Sequence, residues 1–122
     1  MDENLAEFLR WFEAARTGDL PTVESMLAEG FWTEAKGPLD GMTALMVAAS
    51  EGRLDCARLL ASESRIDERD PWGNTALLLA AAAGREEVAE MLLESGADPG
   101  VENAAGIDLE GARARARRRR GG

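Results

Sequence analysis

Histidine is absent from the 122 residues and cysteine occurs once, as Cys56. The first absence removes the side chain most used for proton transfer near neutral pH. The second rules out an intrachain disulfide and any cysteine-based metal cluster within one chain. No G-x-S-x-G, Walker-type glycine loop or zinc-ligand spacing is present. An enzyme is therefore the least favoured class, and no catalytic residue, cofactor or metal is expected. Long apolar runs are missing too: the longest, Ala76 to Ala83, falls far below the about 20 residues of a membrane-spanning helix. The start, Met1-Asp2-Glu3, lacks the basic and then apolar regions of a secretory signal. An intracellular, cytoplasmic location is expected, with a nuclear one left open.

What is present is the composition of one folded domain, with 45% hydrophobic and 30% charged residues. The formal charge is −9, unevenly spread: residues 1–110 carry 23 acidic and 8 basic side chains, whereas residues 111–122 carry six arginines and no acid. An acidic body repels phosphate backbones and favours a basic or amphipathic protein segment as partner. A monomer is expected.

The chain repeats itself. Gly41-Met42-Thr43-Ala44-Leu45-Met46-Val47-Ala48-Ala49-Ser50-Glu51-Gly52-Arg53 aligns with Gly73-Asn74-Thr75-Ala76-Leu77-Leu78-Leu79-Ala80-Ala81-Ala82-Ala83-Gly84-Arg85 at a constant offset of 32. The match continues into Leu59-Leu60 and Met91-Leu92, and an earlier copy reads Ala14-Ala15-Arg16-Thr17-Gly18 with Met26-Leu27 closing it. Three helix pairs are predicted. Thr43 and Thr75 precede apolar-periodic segments, where a hydroxyl satisfies the orphan amides of a first helical turn. The first helix of each pair is alanine-rich and closely packed, with Leu45 and Leu77 beneath it. Gly18, Gly52 and Gly84 end those helices. The second helices carry apolar residues at helical spacing: Val23, Met26 and Leu27; Cys56, Leu59 and Leu60; Val88, Met91 and Leu92.

The segment Gly73-Asn74-Thr75-Ala76-Leu77-Leu78-Leu79-Ala80-Ala81-Ala82-Ala83-Gly84, followed by Met91-Leu92-Leu93-Glu94-Ser95-Gly96-Ala97-Asp98, resembles the ankyrin repeat. The resemblance covers roughly residues 5–110. It implies an all-α solenoid of helical hairpins with short β-hairpin-like loops. Repeats fall at about 5–33, 41–72 and 73–105, within a domain of residues 1–110, followed by a C-terminal cap helix and Arg-rich tail over 106–122. The family's Thr-Pro-Leu-His stands here as Thr43-Ala44-Leu45-Met46 and Thr75-Ala76-Leu77-Leu78. Against the family pattern, the loop before Thr43 is one residue long and the loop before Thr75 one short. Trp11 replaces the leucine of the first copy, as suits a capping repeat. Gly106-Ile107-Asp108 stands where a fourth copy would begin, with Asp108 as cap of a final helix through Leu109 and Ala112.

The resemblance also supplies a recognition surface, the concave side built from projecting loops and inner helices. Mapped onto this chain it holds Glu13, Arg16 and Thr17 in the first copy, and Leu39, Met42, Val47, Ser50 and Glu51 in the second. The third contributes Trp72, Asn74, Leu79, Ala82 and Ala83. Leu39, Met42, Val47, Trp72 and Leu79 would form an apolar patch with a tryptophan, the composition of a binding hot spot. The competing account has loops or a folded-back C-terminal segment covering Val47 and Leu79.

Other residues favour plain roles. Cys56 stands where Val23 and Val88 stand in the other copies, a core position. Asp67-Glu68-Arg69-Asp70 lacks calcium-loop spacing and reads as a solvated hairpin. Phe31 and Trp32 are expected to pack with Phe8, Trp11 and Phe12 as an N-terminal cap. The basic tail, Arg113, Arg115, Arg117, Arg118, Arg119 and Arg120, leaves three readings open: a solubilising helical terminus, an import address or contact with nucleic acid or an anionic membrane, and attraction to the acidic body. The leading function is a non-catalytic protein-protein interaction module, an adaptor or regulatory subunit. The alternative is a nuclear or nucleic-acid-associated factor that uses the tail.

Overall fold

A computed structural model describes residues 3–38 and 40–121. Among them are seven helices and no strand: α1 (Glu3–Thr17), α2 (Leu20–Ala28), α3 (Ala44–Glu51), α4 (Leu54–Glu63), α5 (Ala76–Ala82), α6 (Glu86–Glu94) and α7 (Leu109–Gly121). Helices α1, α3, α5 and α7 stack in sequence as an inner layer, and α2, α4 and α6 form the outer one.

Local chemistry explains each inner helix. The Thr43 hydroxyl accepts from Met46 N at 3.3 Å and Thr75 accepts from Leu78 N at the same distance; both threonines are buried. Such caps are each worth about 1 kcal/mol. Ala44, Ala48 and Ala49 on α3 and Ala76, Ala80 and Ala81 on α5 are buried, so small side chains let successive helices approach closely around Leu45 and Leu77. Gly52 ends α3 in the left-handed region, at φ 74°, where a Cβ is strained. Cys56, Val23 and Val88 share the same buried layer, and burial pushes the Cys56 thiol above its usual range.

The connections between pairs are tight turns whose ends are joined by backbone bonds: Gly37 N to Met42 O at 2.8 Å, Asp70 N to Asn74 O at 2.9 Å and Asn103 N to Ile107 O at 3.0 Å. The Asp70 carboxylate organises its turn by accepting from Trp72 N at 2.9 Å and Asn74 N at 2.8 Å. Asn103 does the same work for Ala105 N and Ile107 N. Position 37 is a glycine with no such side chain, and there the extra residue of the longer turn supplies it: Asp40 Oδ1 accepts from Met42 N at 3.0 Å. A Cβ on Gly37 would lie 2.6 Å from that oxygen, so the substitute carboxylate needs the glycine. The shorter connection in the next repeat arises at the exit of α4. There Ser64 is extended, at φ −131°, whereas α2 and α6 leave through left-handed Gly30 and Gly96.

Two expectations are corrected. Asp70 is not part of a solvated run: it is 8% exposed because three donors converge on it. Trp32 does not join the aromatic cap. Phe31 meets Phe8 and Trp11 with ring centroids 5.6 and 4.8 Å apart, whereas Trp32 is 65% exposed. Consecutive side chains in the non-helical segment after α2 point to opposite sides, so only one of the two aromatics can face the core.

Candidate functional site

The open side of α5 presents Leu79 and Ala82, half-buried beside the buried Leu78. One repeat later the 103–107 turn lies alongside. Ala104 N donates to Trp72 O and Asn103 Nδ2 donates to Asn74 Oδ1, both at 2.9 Å, which locks the two turns together. That registration carries Ile107 to the edge of α5. The Asp108 carboxylate then caps the next helix by accepting from Gly111 N at 2.9 Å.

Helix α7 closes the far side. Leu109, Ala112 and Ala116 are buried against the stack, a stripe at helical spacing that sorts the arginines onto two other faces. One face turns to the outer layer, where Arg113 bonds Glu86 at 3.2 Å and Glu90 at 3.1 Å on α6, while Arg117 bonds Glu110 of α7 itself at 3.4 Å. Arg120 borders the same acidic cleft. The opposite face, Arg115, Arg118 and Arg119, lines a groove of about 550 Å³ with Asn74, Leu78, Leu79, Ala82, Asn103, Ile107 and Ala112. Its floor is apolar and one wall is cationic. Among the described residues no carboxylate pairs with those three arginines.

The groove gathers only part of the surface expected from sequence. Asn74, Leu79 and Ala82 line it; Ala83 is exposed beside it, and Trp72 stands 61% exposed at the turn tip, outside the lining. Met42, Val47, Ser50 and Glu51 are half-buried in the preceding repeat, away from the groove, and the Ser50 carbonyl is taken by Arg85. Leu39 lies outside the described residues. In the first copy, Glu13 and Arg16 pair with each other at the surface, and the guanidinium holds the Glu13 carboxyl below its ordinary range. Sequence reasoning missed Ile107, Asn103 and the division of the arginines. The signal was there: positions 115, 118 and 119 share one helical face and 113, 117 and 120 another. The stretch Arg113–Arg120 belongs to a packed helix and not to a trailing tail, because Ala112 and Ala116 give it a buried side.

A family model described as ankyrin repeats, in three copies, matches residues 11–103. The chain belongs to the ankyrin-repeat family. Comparison with curated proteins finds no match. The three matched repeats make this chain a protein-interaction scaffold of the general ankyrin-repeat kind. Among its described residues no group of three or more His, Cys, Asp or Glu could hold a metal ion, and no helix is long and apolar enough to cross a membrane. The matched residues end at Asn103, so the cationic wall on α7 lies beyond the three matched repeats and is a feature of this chain.

Proposed function

We propose that this ankyrin-repeat protein is an intracellular adaptor or regulatory subunit that holds a protein partner along its concave face, centred on the groove between α5 and α7. The observation that carries the reading is the apolar floor of Leu79, Ala82 and Ile107 left open by the stack, with the exposed Trp72 nearby. Uncovered apolar surface beside a tryptophan is the usual composition of a contact that dominates binding. Arg115, Arg118 and Arg119, which pair with no carboxylate among the described residues, favour one second reading, a nucleic-acid contact, against which stands the chain's net charge of −9.

The test places a photo-crosslinking amino acid at Trp72 or Ala83 on the proposed face, and at the exposed Arg58 on the outer layer, in cells. Protein adducts are expected from the first two positions and few from the third. Equal yields from both faces would remove the groove from the reading, and adducts to nucleic acid in place of protein would favour the alternative.

A further inference from the structure

The groove differs in sign from the body that carries it. Residues 1–110 hold all 23 carboxylates, yet none lines this groove, whose charged members are Arg115, Arg118 and Arg119. The basic partner expected from overall charge does not fit it. A basic segment would meet like charge at the wall, and its attractive surface lies instead on the outer layer, in the cleft lined by Glu86, Glu87, Glu90 and Glu94.

We propose that the groove between α5 and α7 receives an acidic amphipathic segment of a partner protein, its carboxylates on Arg115, Arg118 and Arg119 and its apolar side chains on Leu79 and Ile107. The inference rests on the reading of the groove as the partner site and adds the chemistry of the occupant. Three features argue for it. Guanidinium groups recognise carboxylates in paired hydrogen bonds and are held here on one face of a packed helix, so little ordering is needed on binding. On the other face Arg113 and Arg117 are engaged by Glu86, Glu90 and Glu110 and Arg120 borders the same acidic cleft, which leaves Arg115, Arg118 and Arg119 as the α7 cations turned to the groove. The floor of Leu79, Ala82 and Ile107 is hydrocarbon and the Asn74 and Asn103 amides beside it are bonded to Asp70 and to each other, which suits a segment with an apolar side better than a phosphate backbone. A nucleic acid would gain three arginine contacts on this wall while the acidic body repelled the rest of its length. The exposed Leu5 and Leu9 on α1 of a second copy are flanked by Glu7, Arg10, Glu13 and Arg16, a mixture of signs that offers no net complement.

The experiment pans the full chain against a display library of short random peptides and measures the selected ones by fluorescence anisotropy. Probes are the wild-type chain, the R115E/R118E/R119E variant, and single-stranded RNA and DNA of matching length. Selected peptides are expected to carry net negative charge with Leu, Phe or Trp among the acids. Their affinity should fall about tenfold or more in the arginine variant and weaken with added salt. Selection of basic or neutral peptides, no selection at all, equal affinity for the variant, or tighter binding of an oligonucleotide overturns the inference. Self-association of the wild-type chain that the arginine variant abolishes also overturns it, in favour of a second copy. Should the variant lose its helical circular dichroism, Arg118→Gln with Arg119→Gln replaces it, both residues being exposed. Hydrogen exchange separates the two levels. Acid-selective peptides that protect α4 and α6 and leave α5 and α7 unprotected refute the groove itself, whereas peptides that protect α5 and α7 without charge preference refute only the chemistry of the occupant.

Discussion

The Arg85 guanidinium reaches back across one repeat and donates through Nε to the Ser50 carbonyl at 3.1 Å. Arg53 does the same one repeat earlier, to the Arg16 carbonyl at 3.0 Å. In both cases the side chain lies over the glycine that ends the preceding inner helix: a Cβ on Gly52 would come within 2.9 Å of Arg85 Cδ, and one on Gly18 within 3.0 Å of Arg53 Cδ. The last carbonyls of a helix have no partner within it, and a cation there meets the negative end of the helix dipole. Glycine makes room, and the next repeat's arginine fills it. At the C-terminal end Arg120 approaches Gly84 in the same way, with its Cζ 3.8 Å from the Cβ position.

This packing predicts that Arg85→Ala lowers stability by about 1 kcal/mol, the net worth of one exposed charge-assisted bond. Arg85→Lys keeps the charge and loses the planar donor, so it should recover only part. Urea unfolding followed by circular dichroism measures both, and a wild-type midpoint for Arg85→Ala would show that the contact contributes nothing.

Asp70 gives a second prediction. Its carboxylate accepts from two backbone amides that no other group reaches among the described residues. Asp70→Ala should destabilise by about 1 to 3 kcal/mol through unsatisfied donors. Asp70→Asn should recover most of that loss, because one amide oxygen can still accept from both backbone amides as Asn103 does one repeat later, while the bond from Asn74 Nδ2 to Oδ2 is lost. If both variants unfold at the same urea concentration, the side-chain acceptor is not what holds the turn.

Position within the stack sets the cost of core truncation. Leu77→Ala, at a residue 1% exposed in the first turn of α5, should lose roughly 2 to 5 kcal/mol. Leu9→Ala, at a residue 48% exposed on α1, should stay within about 0.5 kcal/mol. Thermal and chemical denaturation compare the two, and similar losses would contradict the layered core.

Burial raises the Cys56 pKa, so the folded thiol keeps its proton at pH values where the unfolded one ionises. The sign follows from linkage: this contribution is fully present below the unfolded thiol's pKa and declines as pH rises toward the folded value. Alkylation of Cys56 by iodoacetamide under mildly alkaline conditions should therefore be slow in the native chain and fast in denaturant. Rapid native modification would place the thiol at the surface.

The repeat, its helix pairs, the threonine caps, the glycine ends and the alanine-rich inner layer all follow from the amino-acid order, because each depends on residues within a few positions of one another. Periodicity and capping are local physics, legible without coordinates. Tertiary structure alone decided that Trp32 faces solvent while Phe31 is packed, that Asp70 is buried, and that Arg113 and Arg117 engage carboxylates while Arg115, Arg118 and Arg119 line a groove. Those outcomes depend on how one repeat is rotated and registered against the next. The Asn74 to Asn103 bond and the buried face of α7 set that registration. They join residues roughly a full repeat apart, so the sign of the charge at the groove could not be read from the sum over the chain.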